Sequence, residues 1–181
     1  VKRAEPTIKG IFVMSHVTAL KKMCGEEGVM ELEHAYGKPI RFSMNEDVPV
    51  REEVRIIELC LDIQTGNAFS GSERAREAGH LHFRNFSTTP LGSVLLPIMG
   101  SDFKVLMMRA ANIAHHVFSN IEFNSQDLGE KTVEVTMKNA DYPLEHFQGF
   151  FEEWLIYADH SGKVEAKDLG NRSFAYTISW D

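Results

Sequence analysis

The feature that most constrains this chain is a change of hydrophobic period near Asn120. Upstream, apolar residues recur at helical spacing; downstream they alternate. "NIEFNS" places Ile121 and Phe123 on one face, and "TVEVTMK" places Val133, Val135 and Met137 opposite Glu134, Thr136 and Lys138. That alternation is the signature of half-buried strands. "SQDLGE", with Gly129, reads as the hairpin turn between them. "YPLEHFQGFFEEWLIYAD" then returns to helical spacing, with Leu144, Phe147, Phe151, Trp154, Leu155 and Ala158 on one face. "KVEAKDL" and "SFAYTISW" alternate again around the turn "GNR", and the last strand directs Phe174, Tyr176, Ile178 and Trp180 to one side. Helices followed by a ββαββ unit define an α+β class. Its antiparallel sheet should be covered on one face by the helix from Leu144 to Ala158.

The N-terminal half is read mainly as helices. "TIKGIFVMS", Thr7 to Ser15, is β-branched and aromatic and reads as a strand or an extended lead-in. A helix from His16 follows, broken near Gly25 and Gly28 and stopped by Gly37. Residues 50–66 form an amphipathic helix on Val50, Val54, Ile57 and Leu61, widened by Ile56 and Leu59 and closed by Gly66. "SERAREAGHLHFRNF" is helical to Phe86, "STTPLG" breaks it, and a short apolar helix follows. The helix over 101–118 has Ser101 as N-cap and Asp102 at the positive end of its dipole. Its core face is Phe103, Leu106, Met107, Ala110, Ile113, Ala114 and Val117. His116 lies opposite, and His115 lies on a flank with Met108, at the border of the core. With no repeat and no linker, residues 1–181 read as one domain, long enough to bury a core without disulfides or metal.

A net charge of -7 with scattered Lys and Arg excludes a nucleic-acid surface. No apolar run approaches the ~18 residues of a membrane span and no signal peptide is visible, so a cytoplasmic, membrane-free location is expected. Cys24 and Cys60 form no metal-binding spacing.

No P-loop, dinucleotide fingerprint, nucleophile elbow or HExxH motif is present. His80 and His82 in "GHLHFRNF" would share a face on a strand but splay apart on the helix expected there, and no nearby Cys or Asp completes a ligand set. Glu152 and Glu153 are adjacent on a helix and should diverge into solvent. No catalytic residue and no metal ligand is therefore assigned. An enzyme would need His80, His82 or His115 to converge with carboxylates in a cleft. The aromatic helix offers more. Phe147, Phe151 and Trp154 belong to the core, whereas Phe150 and Tyr157 fall beside it and could close a pocket between the helical half and the sheet. Met108, His115, Phe150 and Tyr157 are the candidate ligand-binding residues.

"IKGIFV", "STTPLGSVLLPIMG", "ADYPLEHFQGFFEEWL" and "FAYTISW" together resemble a bacterial family of unknown function first noted as a large set of Myxococcus paralogues. The architecture is also distantly similar to the haem nitric-oxide/oxygen-binding domains and the vinyl-reductase-type small-molecule sensors, in which a helical half and a ββαββ-like half enclose a ligand. That likeness implies ligand sensing by analogy. The haem relatives take their proximal ligand from a histidine on the helix before the first hairpin strand and hold the propionates with a Tyr-x-Ser-x-Arg motif. Here the inward face of that helix carries Ala114, with His115 only on its flank, and "VEVTMKN" has none of the motif residues. The cysteine-rich metal motif of the vinyl-reductase-type sensors is missing too. The expectation is a non-enzymatic regulatory or sensor domain, without cofactor, that binds a small, largely apolar molecule or a protein partner. The alternatives are a haem-based gas sensor using a histidine of the 101–118 helix and an enzyme acting on a small substrate.

Overall fold

A computed structural model describes residues 4–98 and 102–181. The elements run β1 Thr7–Lys9, α1 Gly10–Tyr36, β2 Asp47–Pro49, α2 Val50–Thr65, α3 Gly71–Ser87, α4 Pro90–Ile98, α5 Phe103–Val117, β3 Phe118–Ser119, β4 Glu122–Gly129, β5 Thr132–Lys138, α6 Leu144–Tyr157, β6 Gly162–Gly170 and β7 Ser173–Trp180. This is the α+β arrangement read from the sequence, a helical half followed by ββαββ.

The large sheet has the order β4-β5-β7-β6 and every pairing is antiparallel. Its register sets Val133 against Ile178, Val135 against Tyr176 and Met137 against Phe174, so the apolar faces inferred from alternation meet directly across β5 and β7. These six residues are buried. On that face α6 packs against β6 and β7 while α5 packs against β4 and β5. Two hydrogen bonds fix the helices there, Ser125 Oγ to the Met107 carbonyl (3.0 Å) and Tyr176 OH to the Leu144 carbonyl (2.9 Å).

Several local expectations are corrected. The strand expected over Thr7–Ser15 stops at Lys9, and helix begins at Gly10. The apolar run 11–13 continues through Val17 and Leu20 at helical spacing, and burial of Val13, Val17 and Leu20 overrides the β propensity of the segment. Gly10 is needed at the junction, because a Cβ there would stand 2.2 Å from the Ser43 carbonyl oxygen. The short β1 joins a second small sheet, β2-β1-β3, which the alternation pattern does not reveal because two of its strands span three residues and the third spans two. β4 continues through Ser125–Gly129, where a turn was expected, and the chain reverses only after a bulge between Asp127 and Gly129. In the last strand Ala175 is buried and Trp180 is half-buried, so that strand's two faces are less distinct than its period implies.

The kink at Gly25 (φ 70°) and the left-handed cap at Gly37 fall where glycines were read as break and stop. Ser101 lies outside the described residues. The cap of α5 is Asp102, whose Oδ1 accepts from the backbone N–H groups of Lys104 and Val105 at 3.0 and 3.2 Å. Along α5, Ala111 is buried beside the expected face, Ala110 and Ile113 are half-buried on it, and both histidines are exposed, His115 included. Cys24 and Cys60 are free thiols. Among the described residues no helix is long and apolar enough to cross a membrane.

Candidate functional site

Two interior features adjoin one another. The first is an apolar cavity of about 60 Å³ between α5, α6 and the β4–β5 side of the sheet. Its walls include Ala110, Ile113, Ala114 and Val117 of α5, Phe147, Phe150, Phe151 and Trp154 of α6, and Phe123 and Val135 of the strands. Small residues on α5 face large rings on α6, which is why space remains there. Of the four candidate ligand residues, Phe150 lines this cavity. Met108 is half-buried beside the core and does not reach the wall. His115 is exposed, and Tyr157 is 53% exposed with its ring 5.6 Å from Phe83. The structure does not bring these four together.

The second feature lies behind the cavity wall at His82, which lines the cavity and is itself buried. Four helices each direct one titratable side chain inward: His16 from α1, Glu53 from α2, His82 from α3 and His146 from α6, all buried. His16 Nε2 is 2.8 Å from Glu53 Oε1, and His82 Nδ1 is 3.5 Å from the same oxygen. His82 Nδ1 is also 2.9 Å from His146 Nε2. Around this set, Asn85 Nδ2 lies 3.0 Å from His16 Nδ1, and Tyr142 OH donates to Glu53 Oε2 at 2.7 Å. His146 Nδ1 is fully buried with no hydrogen-bond partner.

The electrostatics follow from burial. Loss of water pushes the His82 ring down to about 4 and the His146 ring down to about 3, so both are neutral at pH 7. Burial alone would raise the Glu53 carboxyl. The nearby His82 ring, the hydrogen bond from His16 and the proximity of the His16 and His146 rings outweigh it and hold Glu53 at about 2. Burial and the adjacent Glu53 carboxylate push the Tyr142 hydroxyl well above its ordinary value, which keeps it a donor.

The helical crossing that assembles this cluster depends on two glycines. A Cβ at Gly79 would lie 1.7 Å from the His146 carbonyl oxygen, and one at Gly149 would lie 1.9 Å from the Arg76 carbonyl oxygen. The backbones of α3 and α6 therefore touch, and this brings His82 to His146.

The same crossing alters the reading of Glu152 and Glu153. They do not diverge into solvent; each is about 15% exposed, and both engage His80, at 3.1 and 2.8 Å. Arg76 and Arg84 complete that edge. Burial opposes a charge on His80, but the two carboxylates prevail and raise its pKa. The partners of His82 come from α2 and α6 and not from its neighbours in sequence. One signal was available. His16, Glu53, His82 and His146 each interrupt an apolar arc, as Glu53 does three residues after Val50 and four before Ile57.

A helical half and an antiparallel sheet meeting at an interior site is the fold of H-NOX domains. The chain superposes on an oxygen-binding H-NOX domain related to soluble guanylate cyclases, in its oxygen complex, with TM-score 0.71 and 17% identity, covering 96% of this chain and 95% of that one. An H-NOX structure from work on haem distortion gives TM-score 0.69 at 17% identity, covering 96% and 95%. A mutant H-NOX from T. tengcongensis gives 0.63 at 18%, covering 96% and 98%. By sequence the chain belongs to DUF2378, a family of proteins of unknown function whose model matches residues 2–181. Compared with curated proteins, the sequence matches none.

The residues present do not fit haem. The cavity is far below the roughly 300 Å³ at which small-molecule pockets begin. The α5 side chains on its wall are Ala110, Ile113, Ala114 and Val117, with no ligating group, and His115 and His116 are exposed. No Arg or Lys is on the wall to receive the two haem carboxylates.

Proposed function

We propose that this protein is a non-enzymatic sensor or regulatory domain whose interior cavity takes a small, apolar molecule of a few heavy atoms. The observation that carries this reading is the apolar cavity at the junction of α5, α6 and the sheet, lined almost wholly by aliphatic and aromatic side chains. Its volume of about 60 Å³ is less than half that of the ~150 Å³ engineered apolar cavity that binds benzene or xenon. The likeness in fold to an oxygen-binding H-NOX domain supports a sensing role for such a space. The convergent His–Glu pairs do not favour an enzyme: Glu53 and His82 are buried, and His80 is tied up by Glu152 and Glu153.

Xenon tests the proposal. Under xenon pressure, amide and methyl resonances of Ile113, Val117 and Val135 should shift saturably, and the shifts should disappear in Ala110→Leu, which fills the wall. Shifts that stay linear with pressure, or that survive in the filled variant, overturn the reading and leave a solid core and a protein-interaction module.

A further inference from the structure

The four-helix cluster invites a question that the cavity does not answer: why bury three imidazoles around one carboxylate? One atom each from His16, Glu53 and His82 lies within 4.8 Å of the other two. We propose that His16, Glu53 and His82 are ligands of a divalent first-row transition metal, held at the convergence of α1, α2 and α3.

The spacing supports this. Metal–nitrogen and metal–oxygen bonds of about 2.0–2.2 Å in a tetrahedron set neighbouring ligand atoms roughly 3.3–3.6 Å apart. Glu53 Oε1 stands 3.5 Å from His82 Nδ1, at that edge length, and 2.8 Å from His16 Nε2, a hydrogen-bond distance that would open by roughly 0.5 Å around an ion. The surrounding groups are the second support. Tyr142 OH donates to the other oxygen of Glu53, and Asn85 Nδ2 stands 3.0 Å from His16 Nδ1, where turning the amide over would place its oxygen to accept from the Nδ1–H of a metal-bound imidazole. Outer partners of that kind fix the tautomer and orientation of metal ligands.

Proton accounting is the third. Without a cation, His82 Nδ1 faces both His146 Nε2 and Glu53 Oε1, and a single proton serves only one of these contacts. Among the described residues no Lys or Arg pairs with Glu53, whose close partners are the imidazoles of His16 and His82. A divalent ion would let His16 and His82 present lone pairs and would balance the carboxylate directly. It would also release His146 Nε2 from His82. Two imidazoles and one carboxylate suit Zn²⁺ or Fe²⁺, not Ca²⁺ or Mg²⁺, which prefer all-oxygen sets. This site stands whether or not the cavity takes a ligand.

The test uses the whole chain, stripped with a chelator and titrated with Zn²⁺ and Co²⁺. One equivalent should bind, with intense tetrahedral-type Co²⁺ visible absorption. At a hundredfold excess over Kd, Zn²⁺ should raise Tm by roughly 5–10 °C. Glu53→Gln, which keeps the shape of the side chain, and His16→Gln should each weaken binding at least tenfold, with folding checked by circular dichroism. A His115→Ala/His116→Ala double variant should bind as the parent does, which separates the cluster from the exposed histidine pair. The proposal fails if the parent shows neither the absorption nor the Tm rise, or if the exposed pair and not the cluster accounts for the binding.

Discussion

The close crossing of α3 and α6 gives the sharpest mechanical prediction. In Gly79→Ala the new Cβ would meet the His146 carbonyl oxygen at 1.7 Å, against the 3.0 Å below which real Cβ contacts essentially never occur. The obstacle is backbone, so no rotamer change relieves it, and the helices must part by at least the shortfall of 1.3 Å. Parting them loosens the ring contacts of Phe83 with Phe150 and Trp154, and the His82–His146 contact. Overpacking of this kind costs about 1–3 kcal/mol, and the rigid obstacle places it at the upper end. The better helix propensity of alanine returns about 1 kcal/mol. The net loss is about 2 kcal/mol, a fall in Tm of roughly 4–8 °C for a domain of this size. Gly149→Ala should behave alike, since its Cβ would meet the Arg76 carbonyl oxygen at 1.9 Å. Once one alanine has pushed the helices apart, the second meets less resistance, so the double variant should lose clearly less than the sum. Thermal melts of the four proteins decide the matter. Full additivity, or a rise in Tm for either single variant, would refute the contact as the origin of the effect.

Two further outcomes follow. Tyr142→Phe removes the donor to Glu53 Oε2 and leaves a buried carboxylate oxygen unpaired; urea melts of the metal-free protein should show a loss of about 1–3 kcal/mol, and an unchanged midpoint would mean water takes the donor's place. Haemin, added and then desalted away, should leave no Soret band; a stoichiometric band that vanishes in His115→Ala would make the haem sensor the better account.

What the sequence disclosed and what it hid divide along a physical line. The faces of β5 and β7 were legible because Val133, Val135 and Met137 alternate with polar residues and sit buried directly opposite Ile178, Tyr176 and Phe174. The ends of α1 and α2 were legible because Gly37 and Gly66 adopt the left-handed conformation that stops a helix. The strand misassigned over Ile11–Ser15 failed because β propensity yields to burial. The polar cluster was hidden for a different reason. His16 and Glu53 are separated by 37 residues, and Glu53 and Tyr142 by 89, so their meeting is a product of helix packing and no local spacing encodes it. The contact of His80 with both Glu152 and Glu153 was hidden in the same way. Adjacent helical side chains do diverge, but a third group placed between them by Gly79 and Gly149 receives both.

The likeness to H-NOX domains and the mismatch with haem have one origin. Hydrophobic period fixes which elements pack and in what order, and it is indifferent to side-chain size. Architecture can therefore persist at 17% identity with a TM-score of 0.71. Whether the space between those elements is open or filled depends on volume at individual positions. Here Phe123, Phe147, Phe150, Phe151 and Trp154 reach into it from the strands and α6, and only the small side chains of Ala110 and Ala114 on α5 keep about 60 Å³ clear. Phe150 lines that space, and its ring stands 5.2 Å from His82 in edge contact. His82 in turn joins the cavity wall to Glu53 and His146. With α3 and α6 in backbone contact at Gly79 and Gly149, the helices cannot close further to absorb a displacement of the Phe150 ring. Movement of Phe150 must therefore be taken up by side chains, and the buried imidazole is the nearest of them with a polar network behind it.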